Sequence, residues 1–197
     1  MNNQKIVSFD PASTKNLGWS KFEIDNDIFT CDAGTFVIPT QFEVWESYWP
    51  MHQVIDEFLS KEQPDLVIIE KTSAFRASSS PFVTGQVSHC MGIIFALCGK
   101  YNLKVEFAFP TSVKLRIAGH GKASKSQIKR AVKQYIYNIT TNHVIYSTDH
   151  AYDAAANILY YMIGNEMVSP ISEFPWLTPK QKEIKRKKKK VEVVIYG

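Results

Sequence analysis

The sequence predicts an α/β fold, a mixed five-stranded sheet with helices on both faces. Three observations predict it. Three β-rich segments open the chain, strand-like and helical segments alternate after them, and 45% of the 197 residues are hydrophobic. That pattern builds a layered domain of sheet and helices, and the length supports one sizeable core.

Each element follows from its local pattern. Residues 4–9 (QKIVSF) read as a strand that ends on Asp10. LGWSKFEI (17–24) and IFTCDAGTFVI (28–38) are rich in β-branched and aromatic residues, and the turn-like DND at 25–27 makes them an antiparallel pair. Residues 44–61 carry Val44, Tyr48, Met51, Ile55, Phe58 and Leu59 near helical spacing. Pro64 and Asp65 end that pattern, and LVIIE (66–70) follows as a short buried strand. A Ser-rich loop, KTSAFRASSSPF, leads to a helix over 83–101. Its small and apolar positions (Cys90, Ile94, Leu97, Cys98) suit packing on a sheet or on another subunit. LKVEFAF (103–109) supplies the fifth strand and Pro110 ends it. Helical segments near 111–117, 123–137 and 149–163 follow. The last seven residues, VEVVIYG, read as a strand or an extended tail.

Composition narrows the class. No run of 18 apolar residues is present, so a membrane span is not expected. MNNQKIVSFD enters a strand-like run at once, so a signal peptide is not expected. Cys31, Cys90 and Cys98 are odd in number and lack metal-type spacing, which suits reduced thiols in a cytoplasm. Net charge is +4, but residues 180–197 alone carry +6, so the rest of the chain sums to −2. Within that acidic body no Asp or Glu occurs between Glu106 and Asp149. Lys114, Arg116, Lys122, Lys125, Lys129, Arg130 and Lys133 all do. A basic sector and a basic tail on an acidic body point to a polyanionic partner. By composition the chain divides into residues 1–166, the folded domain, and 167–197, a basic C-terminal tail.

The stretch TDHAYDAAANILYYMIG (148–164) poses a chemical question, because it is apolar on almost every face yet carries Asp153 in its first turns. A helix of that kind is buried, and a buried carboxylate is costly unless a cation, a donor or a metal compensates it. Asp10 and Glu70 end two predicted strands, and Asp153 lies near the start of the last helix, where open sheets gather functional groups. At 100° per residue Asp149 lies about 40° and His150 about 60° from Asp153, so either can point the same way. Carboxylates sharing a pocket repel one another, and hard divalent cations such as Mg²⁺ or Mn²⁺ remove the conflict. Two such ions activate water and stabilise a leaving oxygen in phosphodiester cleavage. Lysines and arginines of the basic sector would neutralise backbone phosphates nearby, with Lys125, one turn into its helix, the best placed to reach the scissile phosphate. GHGKASKSQIKRAVKQY is not a nucleotide-binding P-loop: Arg116 stands where the first Gly is needed, and Ala123 follows Gly121-Lys122. Phe75, with Arg76 beside it, follows Glu70 in the Ser-rich loop, where an aromatic can stack on an unpaired base.

Four stretches together resemble the RuvC family of Holliday-junction resolvases, of the bacteriophage type, within the RNase H-like superfamily. They are IVSFDPASTKNLGWS, DLVIIEKTSAF, FAFPTSVKLRIAGHGKASKSQIKRAV and DHAYDAAANIL, and the resemblance covers about residues 4–164. The resemblance implies an RNase H-like sheet and a homodimer that nicks two strands of a four-way junction symmetrically. It also implies two Mg²⁺ or Mn²⁺ ions per active site. By motif, Asp10 and Glu70 match the first two acidic ligands and Asp153 the last. His150 stands three residues before Asp153, where the family usually has Asp, and Asp149 is one residue off that register. Lys114 and Lys125 match lysines that contact DNA near the site, and Phe75 falls near the junction-stacking aromatic. Ala12 replaces the usual Gly of the first motif, and the KRKKKK run has no counterpart. The expected location is a bacterial cytoplasm, the host's if the chain is phage-encoded.

Three other functions compete. A sugar-kinase or actin-type ATPase shares an Asp-x-x-x-Thr hairpin (Asp10 to Thr14), but needs a second domain and phosphate loop. A related nuclease acting on flaps or RNA–DNA hybrids would use the same metal chemistry. A non-catalytic junction-binding protein would keep the acids as structural residues.

Overall fold

The computed structural model describes residues 3–182 except 14, 27, 40–42, 72–80, 147 and 180. Among these residues six strands form one mixed sheet, one more than the sequence pattern predicts. They are β1 (Gln4–Pro11), β2 (Asn16–Asp25), β3 (Ile28–Val37), β4 (Leu66–Glu70), β5 (Lys104–Ala108) and β6 (Thr140–Ile145), in spatial order β5-β4-β1-β2-β3-β6. β1, β2 and β3 form an antiparallel meander, while β4 and β5 run parallel to β1, and β6 runs parallel to β3. The sixth strand escapes a pattern reading because TTNHVI is largely exposed and shows no alternation of buried and open positions. Its β-branched residues suit an edge strand, and it pairs with β3 through a register shift at Phe29/Thr30.

Among the described residues five helices cover the sheet: α1 (Tyr48–Glu62), α2 (Pro81–Lys100), α3 (Pro110–Ala118), α4 (Lys125–Ile139) and α5 (Asp149–Gly164). The alternation of each strand divides the core in two. Val7, Phe9, Val67 and Ile69 pack on α1 and α2. Ile6, Phe22, Leu66 and Ile68 pack on α3, α4 and α5. α1 begins at Tyr48, later than the apolar spacing suggests, because Pro50 lacks an N–H and fits only in a first turn. α4 begins with a capping box, Ser124 and Gln127 each accepting the other's backbone N–H. None of the described helices is long and apolar enough to cross a membrane.

Beyond α5 the chain folds back over α3 and α4. Val168 and Leu177 are buried. The Trp176 indole N–H donates to the Ala118 carbonyl at 3.0 Å, and the Tyr135 hydroxyl accepts from the Ile171 backbone at 2.9 Å. Gly119 ends α3 with φ +79°, and the Phe174 ring fills the space a side chain there would take. Residues 168–177 thus pack as part of the folded body, while 183–197 lie outside the described residues.

Candidate active site

The site forms where β1 ends and α5 begins. Phe9 faces α1 and α2, so the next residue, Asp10, turns to the α5 side of the sheet, where it is buried. Gly18 is its register partner on β2. A Cβ on Gly18 would stand 2.3 Å from the His150 carbonyl oxygen, so the helix start rests directly on the strand backbone. Thr148 caps α5 by accepting the Ala151 N–H at 3.1 Å, and its hydroxyl meets that of Thr35 on β3. Strand and cap together fix the depth at which the first turn of α5 enters.

That depth brings Asp10, His150 and Asp153 together, with one ligand atom from each within 4.8 Å of the others. His150 Nδ1 lies 2.8 Å from an Asp10 oxygen, and this contact raises the imidazole's affinity for a proton above its usual value. Asp153 is pushed up to about 6, first by burial and then by the charge of Asp10, against the opposing charges of Lys125, Lys114 and His150. Such a shift corresponds to about 3 kcal/mol against the ionised form. Two crowded carboxylates and an imidazole form a donor set that suits a divalent cation, which would reverse this penalty.

Other expected ligands stand differently. Glu70 ends β4 half-buried, one residue past the Phe9–Ile69 pairing, and so on the Asp10 side of the sheet. It lies outside the 4.8 Å group. Asp149 points away, 3.4 Å from Lys125, with both side chains more than half exposed. An exposed pair of that kind contributes about 0–1 kcal/mol. His150→Ala is therefore expected to slow metal-dependent cleavage at least about tenfold, the loss typical of a removed metal partner, and Asp149→Ala much less. Single-turnover rates for the two variants, if reversed in order, would move the ligand to Asp149.

The model of the family described as crossover junction endodeoxyribonuclease RuvC matches residues 6–159, most of the chain. The chain belongs to the RuvC family. The RuvC of Prochlorococcus marinus strain MIT 9312 is 27% identical over 139 residues, covering 70% of this chain and 83% of the relative. That of Rickettsia typhi is 26% identical over 132 residues, covering 66% and 82%. Among solved structures, Thermus thermophilus RuvC in complex with a Holliday junction substrate superposes with a TM-score of 0.68 at 20% identity. It covers 85% of this chain and 98% of that one. The fowlpox virus resolvase with its junction DNA gives 0.52 at 20% identity, covering 81% and 99%. At those identities the structural likeness concerns the fold, the RNase H-like sheet with helices on both faces. Nucleases of the RuvC family need divalent metal ions.

Around the RuvC-type cluster, the basic residues separate. Lys125 and Lys114 lie close enough to Asp153 for their charges to act on it. Lys122 is exposed in the turn before α4. Lys129 sits over the Tyr152 ring at 5.0 Å. Arg116 is engaged elsewhere: its guanidinium lies 4.2 Å from the Tyr160 ring centre and donates to the Tyr160 carbonyl, about 10 Å along α5 from Asp153. Phe75 and Arg76 fall outside the described residues, as does Thr14. Sequence reading missed Gly18, although a glycine inside a strand signals a close backbone approach. It also missed the 168–177 segment that braces the α3–α4 turn, because Trp176 and Phe174 sit in a stretch without periodicity.

Proposed function

We propose that this chain resolves four-way DNA junctions, hydrolysing one phosphodiester bond in each of two strands with divalent metal ions. The single observation that supports this best is the convergence of Asp10, His150 and Asp153 in a RuvC-family chain. In this reading Asp10, His150 and Asp153 hold the metal, and Glu70 completes the ligand set from the end of β4. Two Mg²⁺ or Mn²⁺ ions, when bound, supply an activated water and charge stabilisation of the leaving oxygen. Lys125 and Lys114 hold the scissile phosphate against the acidic cluster, and Lys122 and Lys129 extend the contact along the backbone. Arg116 contacts the DNA further from the cluster in this reading, and the same role is proposed for Phe75 and Arg76, which lie outside the described residues.

A homodimer would present two such sites, one for each nick. α2 supports it: Gly92, Phe95, Ala96 and Gly99 are exposed on one side of that helix, and none of the described residues lies near a Cβ built on either glycine. Three buried free cysteines support a reducing cytoplasm, that of a bacterial host for a phage-encoded chain.

Substrate selection is the direct test. A four-way junction, a flap, a plain duplex and an RNA–DNA hybrid of matched length are incubated with the full chain and Mg²⁺. Symmetric nicking of the junction, at least about tenfold faster than of any other substrate, is expected, a difference of about 1.4 kcal/mol. Faster cleavage of the hybrid would replace resolvase by an RNA-directed nuclease.

The basic tail adds a second expectation. Gln181 is bonded to Gln127, which belongs to the capping box that starts α4 beside Lys125. Gln181 and Lys182, the last described residues, therefore lie beside the start of α4. Replacing Lys185 to Lys190, Arg186 included, by Ser is expected to lower the slope of log affinity against log salt by about 3 to 5. Anisotropy titrations on a junction from 50 to 300 mM salt (roughly the range where release of bound counterions dominates) measure it. An unchanged slope would make the tail a solvated end.

A further inference from the structure

Beneath the metal cluster lies a second layer of polar side chains that the cleavage reaction does not use. Ser8, Ser20 and Asn157 are fully buried, each 0% exposed. Among the described residues neither hydroxyl finds a hydrogen-bond partner, and neither end of the Asn157 amide does. Buried polar groups are almost always paired, directly or through ordered water, so three such groups in one region need an explanation.

Their placement supplies it. Ser8 and Ser20 are register partners on β1 and β2, which sets their Cβ atoms about 5 Å apart on one face. That face is the α5 side, shared with Ile6 and Phe22. Ser8 precedes Asp10 by two residues, about 7 Å back along the strand. Asn157 follows Asp153 by one helical turn, about 6 Å further along α5 and about 40° from it around the axis. The helix begins against Gly18, opposite Asp10, and Tyr161 near its other end lies towards Lys104, the first residue of β5. α5 thus descends from the carboxyl end of β1 towards the amino end of the parallel strands. One turn below Asp153, it crosses the level of Ser8 and Ser20.

We propose that Ser8, Ser20 and Asn157 bind one internal water, and that this polar cell sets the spacing between Asp10 and Asp153. Two hydroxyls and a primary amide supply the three or four hydrogen bonds that a buried water makes. The water would tie α5 to the β1–β2 pair directly under the metal ligands. All three side chains are positioning residues: they act through Asp10 and Asp153.

The sign of a stability change tests the site without reference to activity. Thermal unfolding of the full chain is compared for Ser8→Ala, Ser20→Ala and the double variant. If each hydroxyl holds the water, each single change lowers Tm by about 2–4 °C. The double variant loses less than the sum, because both groups report on the same water. A rise in Tm overturns the site, since deleting an unpaired buried hydroxyl relieves a penalty. A high-resolution crystal structure is expected to place the water within about 3.2 Å of both Oγ atoms and the amide. Direct amide–hydroxyl contacts with no water there overturn it as well. Positioning has its own readout, the Mg²⁺ concentration that gives half of the metal-induced Tm increase. Asn157→Leu and Ser8→Ala are expected to raise it about tenfold, as loss of a supporting partner does. An unchanged midpoint in both overturns the positioning role. This test assumes only metal binding by Asp10 and Asp153, so its failure is distinguishable from a wrong substrate.

Discussion

Asp10→Asn is expected to reduce metal-dependent nicking of a four-way junction by about 10³-fold or more, while junction affinity stays within about threefold. The amide keeps the shape of the side chain and still accepts from His150, so the strand end and the helix start remain in place. What disappears is one anionic ligand. The same substitution removes the second largest cause of the raised Asp153 proton affinity, the charge of Asp10. The metal-free variant is therefore expected to melt no lower than the parent, and addition of Mg²⁺ is expected to raise its Tm far less. Three measurements check this: single-turnover nicking, junction binding in Ca²⁺ or EDTA, and thermal unfolding with and without Mg²⁺. Cleavage that persisted undiminished would separate the reaction from this cluster altogether.

Gly18→Ala is expected to cost about 10²-fold in nicking and about 1–3 kcal/mol in stability, although Gly18 carries no chemistry. Its added methyl group would meet the His150 carbonyl oxygen at 2.3 Å and the carbonyl carbon at 2.6 Å. Both belong to the backbone, so no rotamer change relieves the clash and the first turn of α5 has to lift. His150 and Asp153 lift with it, away from Asp10. Gly34→Ala provides the control. There the added Cβ would meet the Trp19 ring, on the opposite face of the sheet. Its stability cost is expected to be similar, but the Mg²⁺ concentration for half-maximal rate should stay near the parent value. Equal effects of the two substitutions on that concentration would show that Gly18 acts only through global stability.

The site was partly legible because its parts carry separate local signals. Asp10 and Glu70 end runs of strand-forming residues, and Asp153 interrupts a helix that is otherwise apolar. Each position is anomalous on its own, since a carboxylate gains nothing from an apolar neighbourhood. The choice between His150 and Asp149 was not legible. Both lie within about 60° of Asp153 on a helical wheel, and only the depth of α5 against Gly18 turns His150 inward and leaves Asp149 to Lys125. Arg116 shows what a charge pattern leaves open. It belongs to a continuous basic sector in the sequence, yet its guanidinium is held by Tyr160. Charge along a chain does not specify which side of a helix meets solvent.

The fold divides in the same way. The order of strand and helix, the two-faced core and the basic character of residues 107–148 were all determined by the sequence itself, because hydrophobic period and charge are local quantities. β6 was decided by tertiary structure alone, since its six mostly exposed residues become a strand only by bonding to the open edge of β3. So was the convergence of residues 10, 150 and 153, which requires a strand and a helix 140 residues apart to touch through a glycine. Contacts between distant segments depend on how deeply packed elements interpenetrate, and no local pattern encodes that depth.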